Sequence, residues 1–396
     1  MHCAETADVA VVGLGAFGSA VAYQLARRGA NVIGLDRFAP PHTMGSSHGE
    51  TRITRLAVGE GDAYAPLVRR SHELWRELEQ QTGTTLMVQT GGLIMAPQAG
   101  TARHHGKDDF VQRCFEMARR FGTPCERLNA PEITRRYPQF RLRGDEVGYF
   151  EPSAGVLMAE RCVATQLHLA RAAGATIRCN ERVSELREQS ESVKLITDKG
   201  VVHAGMVVLT AGPWLAGFLS SRLKSVARVY RQALNWFALD EPAMFAARSF
   251  PVFMWMHGDH EADYFYGLPI VEGGTQGLKV ATETYANATD PDRVERHVAP
   301  AESETMFAEH VGPRLHGVTS RVLRSAACLY TVTPDSGFVV DKLPGYERII
   351  ALSACSGHGF KHSAALGEAI AQHLTEERSS LDLSAFKLGR LLSTLA

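Results

Sequence analysis

The sequence has no excess of either charge: 42 Lys and Arg stand against 43 Asp and Glu, a formal net charge of −1. That balance argues against a nucleic-acid-binding surface and against attachment to an anionic membrane. No apolar run is long enough to cross a bilayer. Residues 1–12, MHCAETADVAVV, lack the basic segment followed by an apolar one that marks a secretion signal, so the expected location is the cytoplasm. Cysteines number seven: Cys3, Cys114, Cys125, Cys162, Cys179, Cys328 and Cys355. The count is odd, the spacing scattered and CxxC absent, so neither a disulfide framework nor a metal site is expected. Repeats and low-complexity segments are also missing. What remains is a chain of 396 residues, long enough for two domains with well-buried cores.

The most informative stretch is 8–36, DVAVVGLGAFGSAVAYQLARRGANVIGLD. An apolar run reaches a glycine cluster, a helical pattern follows, and a second apolar run ends on Asp36. Gly13 permits a tight turn out of the strand, Gly15 lets backbone approach a pyrophosphate, and Gly18 lets the helix pack closely on the sheet. The helix start offers N–H groups and a positive dipole end to phosphates. Asp36 stands where a carboxylate bonds ribose hydroxyls and disfavours a 2′-phosphate. This predicts a dinucleotide site, with FAD and NAD both open.

Further along, 64–81 has helical spacing, 86–95 reads as strands turning at Gly91 and Gly92, and 108–121 is a polar amphipathic helix. A short helix starts at Pro131, and 156–173 is another helix. Short strands are expected at 176–179 and 182–186, a hairpin over 193–204, and a buried strand at 206–210 ending in Thr-Ala-Gly. From 229 to about 326, aromatic and polar residues alternate, which predicts an antiparallel sheet. The stretch 291–315 reads as mostly helical, 348–352 as a buried strand and 364–374 as a helix. The expected fold is α/β. A Rossmann-type dinucleotide domain is assembled from 1–85, 150–225 and 326–396. An α+β substrate domain with a mainly antiparallel sheet takes 86–149 and 226–325. The cleft between them is where a small substrate would bind.

HTMGSSHGETRITRLAVGEG at 42–61, GLPIVEGGTQGLKV at 267–280, SAACLYTVTPDSGFVVD at 325–341 and SGHGFKHSAALGE at 356–368 carry a specific likeness. With them the chain resembles the monomeric sarcosine oxidase and N-methyltryptophan oxidase family over nearly its whole length. The resemblance implies a monomeric flavoprotein oxidase with covalently attached FAD. Such an enzyme oxidises secondary amino acids, with N-methyl or N-alkyl groups, and reduces oxygen to hydrogen peroxide. It places the flavin link on Cys328, whose sulfur is a competent nucleophile. Lys279 would face the flavin and promote reaction with oxygen. Arg55 and Lys361 would hold the substrate carboxylate. Tyr266, Tyr330 and Met254 would line the substrate site. His48 and Arg52 would stand beside the flavin ring, and His358 near it. Ser46, Thr51, Gly357, Gly359, Lys361 and Val183 join the cofactor contacts, Val183 through its backbone at the adenine. Cys355 is assigned no role.

The chain departs from the family at Ser47 and Glu50, and at Glu283, where sarcosine-type members carry histidine. Turned inward, Glu283 would favour a cationic or hydroxyl-rich substrate such as a fructosyl amino acid. Turned outward, it is a solvated strand residue. Other readings are a cyclic imino acid oxidase, a dehydrogenase passing electrons to a carrier, a flavin-bound protein without turnover, and an NAD-dependent enzyme.

Overall fold

The computed structural model describes residues 5–98 and 102–392, so Cys3 lies outside the described residues. The other six cysteines are free thiols. At the centre of an eight-stranded sheet, Glu5–Val12 runs parallel to Val32–Leu35 on one side and to Gly200–Leu209 on the other. Thr176–Arg178 extends the first side; Ile349–Ser353 pairs in parallel with Gly200–Leu209. Residues 9–12 are buried on both faces, as a parallel strand between helices requires. The helix Ala16–Ala26 packs on Ala159–Ala172 and on Ser363–Glu376. Its contact with the last helix is close. A Cβ on Gly367 would lie 2.5 Å from that of Ala20.

A second eight-stranded sheet is mostly antiparallel and runs in the order Val318–Val332, Arg228–Leu239, Leu278–Ala281, Tyr264–Leu268, Val252–Met256, Gly92–Pro97, Glu146–Glu151, Glu126–Asn129. Its core is aromatic, with Phe140, Phe237, Phe250, Phe253, Trp255 and Phe265 fully buried. A small third sheet joins Thr51–Thr54, Gly155–Met158 and Met87–Gln89. It packs on the second sheet through a small apolar cluster, in which Val156 and Met158 meet Val252 and Leu268.

Several expectations change. Residues 155–158 form a buried strand, and the helix starts only at Ala159. The two strands expected within 86–95 go to different sheets. In 291–315, helix is confined to Pro300–Met306 and a π-turn at Phe307–Val311. The strand Val318–Val332 crosses the boundary expected at 325/326, so Cys328 belongs to the antiparallel sheet, opposite Gln232. Met87–Gln89, expected with the substrate domain, pairs instead with Gly155–Met158.

Candidate active site

Two cavities adjoin. The larger, about 510 Å³, is walled by Gly13, Gly15, Asp36, Ser46 and Val183 among others. The smaller, about 100 Å³, is walled by Ser46, Thr51, Arg52, Arg55, Met254, Tyr266, Lys279, Glu283, Tyr330, Gly357, Gly359 and Lys361. Ala16, Phe17, Ser46, Ser47 and Cys355 belong to both walls. Residues from distant parts of the chain are thus brought together. Gly18, His48 and Cys328 line neither cavity.

The larger cavity fits a dinucleotide by its backbone. Gly13 has φ +91°, and a Cβ on Gly18 would lie 1.8 Å from the Gly13 carbonyl oxygen. The helix therefore starts hard against the strand end, a contact only glycine permits. Asp36 is buried, and its carboxylate accepts from Leu14 N at 2.7 Å and Phe38 N at 2.8 Å. Those bonds fix it at the cavity wall with lone pairs remaining. Ser47, where the chain departs from the family pattern, serves the helix start: its hydroxyl accepts from Ala16 N at 3.0 Å. Glu50, a second departure, accepts from Trp236 and Thr275 and pairs with Arg324.

Polar atoms gather where the cavities meet. Ser46 Oγ and both ring nitrogens of His48 are buried without a hydrogen-bond partner. Buried polar atoms seldom stay unpaired, so the Ser46 hydroxyl, which lines both cavities, is suited to a polar group of a bound cofactor, with His48 behind that wall. Burial, with Arg52 and Lys279 nearby, lowers the His48 pKa to about 3, so its imidazole is neutral. Arg52 donates to the Ser46 and Thr51 carbonyls and points Nη2 at Cys328 Sγ, 3.5 Å away. Lys279 is buried and donates to the Gly49 and Thr51 carbonyls at 2.6 and 2.7 Å. Burial and then Arg52 hold its pKa well below the usual lysine range.

The far wall is a charged cluster. Arg55 grips Glu60 with both carboxylate oxygens at 2.9 Å, and both side chains are buried. Burial opposes the charge on Glu60, but Arg55 and Lys361 outweigh it and keep the carboxylate ionised. Lys361 donates to the His358 carbonyl at 2.7 Å, and burial brings its pKa down to about 7 despite Glu60. Glu283 faces inward. Its Oε2 accepts from His105 Nε2 at 2.9 Å and from Tyr285 OH at 2.8 Å. Burial disfavours its charge, yet His105 holds its pKa near 2. Tyr266 and Tyr330 hydroxyls meet at 3.2 Å on the remaining wall.

Glu60, His104, His105 and Tyr285 are among the site residues that sequence reasoning missed. Glu60 sits within the 42–61 motif, which could have singled it out; the histidines lie in a loop with no pattern to mark them. Glu60, His104 and His105 bring possible metal-ligand atoms within 4.8 Å of one another. Both Glu60 oxygens are already engaged by Arg55, and His105 Nε2 by Glu283, so the group is an ion-pair network.

Residues 8–373 match the family model described as "FAD dependent oxidoreductase". Monomeric sarcosine oxidase from Bacillus sp. (strain NS-129) is 35% identical over 385 residues, covering 97% of this chain and 96% of that protein. N-methyl-L-tryptophan oxidase from Yersinia pestis (strain Pestoides F) is 33% identical over 384 residues, covering 97% and 99%. The fold is shared with NikD, "an unusual amino acid oxidase essential for nikkomycin biosynthesis", at TM-score 0.83, 24% identity and 97% coverage of both chains. It is shared also with Amadoriase I from Aspergillus fumigatus, at TM-score 0.73, 18% identity, and 96% and 89% coverage. With a glycine-built dinucleotide cavity opening onto a buried polar one, and with that likeness along nearly its whole length, the chain is an oxidoreductase of the FAD dependent oxidoreductase family.

Proposed function

We propose that the protein oxidises secondary amino acids, N-methyl or N-alkyl, with oxygen as electron acceptor. The observation that carries this reading is the smaller cavity, which has carboxylate-binding cations on one wall and a buried lysine on another. Arg55 and Lys361 supply a planar fork and a point charge for the substrate carboxylate. Tyr266, Tyr330 and Met254 supply the apolar and hydroxyl-bearing surface against its alkyl groups. FAD, when bound, accepts the electron pair from the substrate carbon and passes it to oxygen. The resulting imine hydrolyses in water to an amine and a carbonyl compound. Lys279 places a buried donor at a dry wall, and in its protonated form it stabilises the negative charge that oxygen acquires.

Gly13, Gly15, Gly18, Asp36 and Val183 would hold the adenosine and pyrophosphate half of FAD. Ser46, His48, Thr51, Arg52, Gly357 and Gly359 would surround the flavin end. Attachment is assigned to Cys328, whose sulfur touches Arg52 and the Ser46 carbonyl, two residues of the smaller cavity's wall. Yellow colour retained in an acid-precipitated pellet, and released by Cys328→Ser, supports that link. Colour released from the unaltered protein refutes it. Peroxide formation across a panel of N-methyl, cyclic and fructosyl amino acids tests the substrate class. The inward Glu283 favours including the fructosyl compounds: Oε2 takes both of its hydrogen bonds, which leaves Oε1 for a substrate hydroxyl.

A further inference from the structure

The carboxylate reading creates a difficulty inside the site. Arg55 gives Nη2 to both Glu60 carboxylate oxygens at 2.9 Å and Nη1 to the Ala57 carbonyl, and both side chains are buried. An arginine that turns to a substrate carboxylate leaves Glu60 behind as a buried anion. An unpaired buried carboxylate is costly, so a second cation is needed to receive it.

Four basic side chains come near Glu60 besides Arg55; one of them, His104, is kept neutral by burial. Lys361 is claimed by the incoming carboxylate itself. His358 Nδ1 lies 4.0 Å from Glu60, but burial lowers its pKa to about 3 and leaves it neutral. His105 Nδ1 lies 3.4 Å from Glu60 Oε1. Burial disfavours its charge, but Glu283 and Glu60 together raise its pKa to about 9. His105 is thus the imidazole near Glu60 that carries a proton on both nitrogens at neutral pH.

Its geometry is that of a donor held in reserve. Nε2 is bound to Glu283 at 2.9 Å, which fixes the ring. Nδ1 is buried, faces Glu60 and has no hydrogen-bond partner. The residue sits at φ +49°, in the left-handed region that only a small share of non-glycine residues occupy. Tyr285 braces Glu283 from the other side, and the rings of His104 and His358 pack against His105.

We infer that His105 is a positioning residue for substrate binding: anchored by Glu283, it takes over the Glu60 carboxylate when Arg55 turns to the substrate carboxylate. The step moves no proton and breaks no covalent bond. Arg55 exchanges one carboxylate for another, and Glu60 loses the guanidinium and closes on the imidazolium already 3.4 Å away. The inference rests on the carboxylate reading of Arg55 and gives Glu283 a role in this chain that differs from contacting the substrate.

The test uses the flavin-loaded enzyme and a monocarboxylate probe, benzoate or acetate, with binding read from the perturbed flavin absorption. The unaltered protein and Arg55→Gln come first. If the unaltered protein binds neither probe, or Arg55→Gln binds as well, the carboxylate reading fails and the inference with it. Given that binding, His105→Gln should raise Kd on the order of tenfold, the worth of a hydrogen bond to a charged group. Glu60→Gln should lower Kd, because Arg55 is freed. In the Glu60→Gln background the further change His105→Gln should have no effect. His105→Gln with Glu283→Gln should remain weak. Equal losses in both Glu60 backgrounds would overturn the inference. So would recovery in the His105→Gln, Glu283→Gln pair, because His105 would then serve only to neutralise Glu283. Flavin absorbance and unfolding temperature of each variant separate these outcomes from misfolding.

Discussion

At the scale of single residues, burial sets the chemistry. Lys361 has a pKa near 7 because dehydration of its ammonium outweighs the attraction of Glu60. It is charged below that pH and neutral above it, and a bound carboxylate stabilises the charged form. Affinity for a simple carboxylate should therefore be steady below pH 7. It should fall above it, by up to about tenfold per pH unit, as binding must bring a proton with it. Lys361→Met should flatten that fall; an unchanged profile would remove Lys361 from the site. Lys279 is a second case. Burial and Arg52 disfavour its ammonium, while the two carbonyls that accept from it favour it. Lys279→Met should slow reoxidation of the reduced enzyme by oxygen by about 100-fold or more, as expected for losing one preorganised electrostatic group. Reduction by substrate should change far less. Stopped-flow traces of the two half-reactions check both statements.

At the scale of elements, the glycine cluster shows how far local sequence reaches. Gly13, Gly15, Gly18 and Asp36 are legible because strand, tight turn, helix and terminal acid are all encoded within one short stretch, and each imposes its own residue type. The structure adds the reason for Gly18: the helix is seated so closely that a methyl group would overlap the Gly13 carbonyl. Gly18→Ala should lift the helix from the sheet at a cost of about 1–3 kcal/mol. It should also lower the flavin-to-protein ratio of the purified enzyme; a normal ratio and unfolding temperature would contradict this. Other elements are less legible. Residues 155–158, GVLM, suit a strand or a buried helix equally, and pairing with Thr51–Thr54 decides in favour of the strand. The strand Val318–Val332 has no sequence mark telling which sheet it joins; its long pairing with Arg228–Leu239 is settled by partners nearly 100 residues away. Strand alternation alone does not give Glu283 a facing. His105, which holds it inward, comes from a loop remote in sequence, and no local rule connects the two.

At the scale of the whole molecule, two large sheets and a small one enclose a pair of cavities, with the dinucleotide-shaped one against the first sheet and the charged one against the second. Sequence motifs identify both ends of this arrangement. The ion-pair network between them depends on side chains from separate loops and strands, and so becomes visible only in three dimensions. Large apolar side chains exposed among the described residues are few: Met244, Val322, Leu323 and Leu392. Each is little more than a third exposed, which offers little apolar surface for an obligate interface. We therefore predict a monomer, with a light-scattering mass near 43.2 kDa at all dilutions; a stable dimer would contradict it. On the proposed function, this architecture oxidises a secondary amino acid and hands the electrons to oxygen. Mixing the flavin-loaded enzyme with such amino acids without air, then admitting air, tests it most directly. The flavin should bleach with at least one N-alkyl amino acid and then regain its colour with one hydrogen peroxide formed per flavin. A flavin that bleaches with light but with no amine of the panel, or that regains its colour only with an added electron carrier, would contradict it.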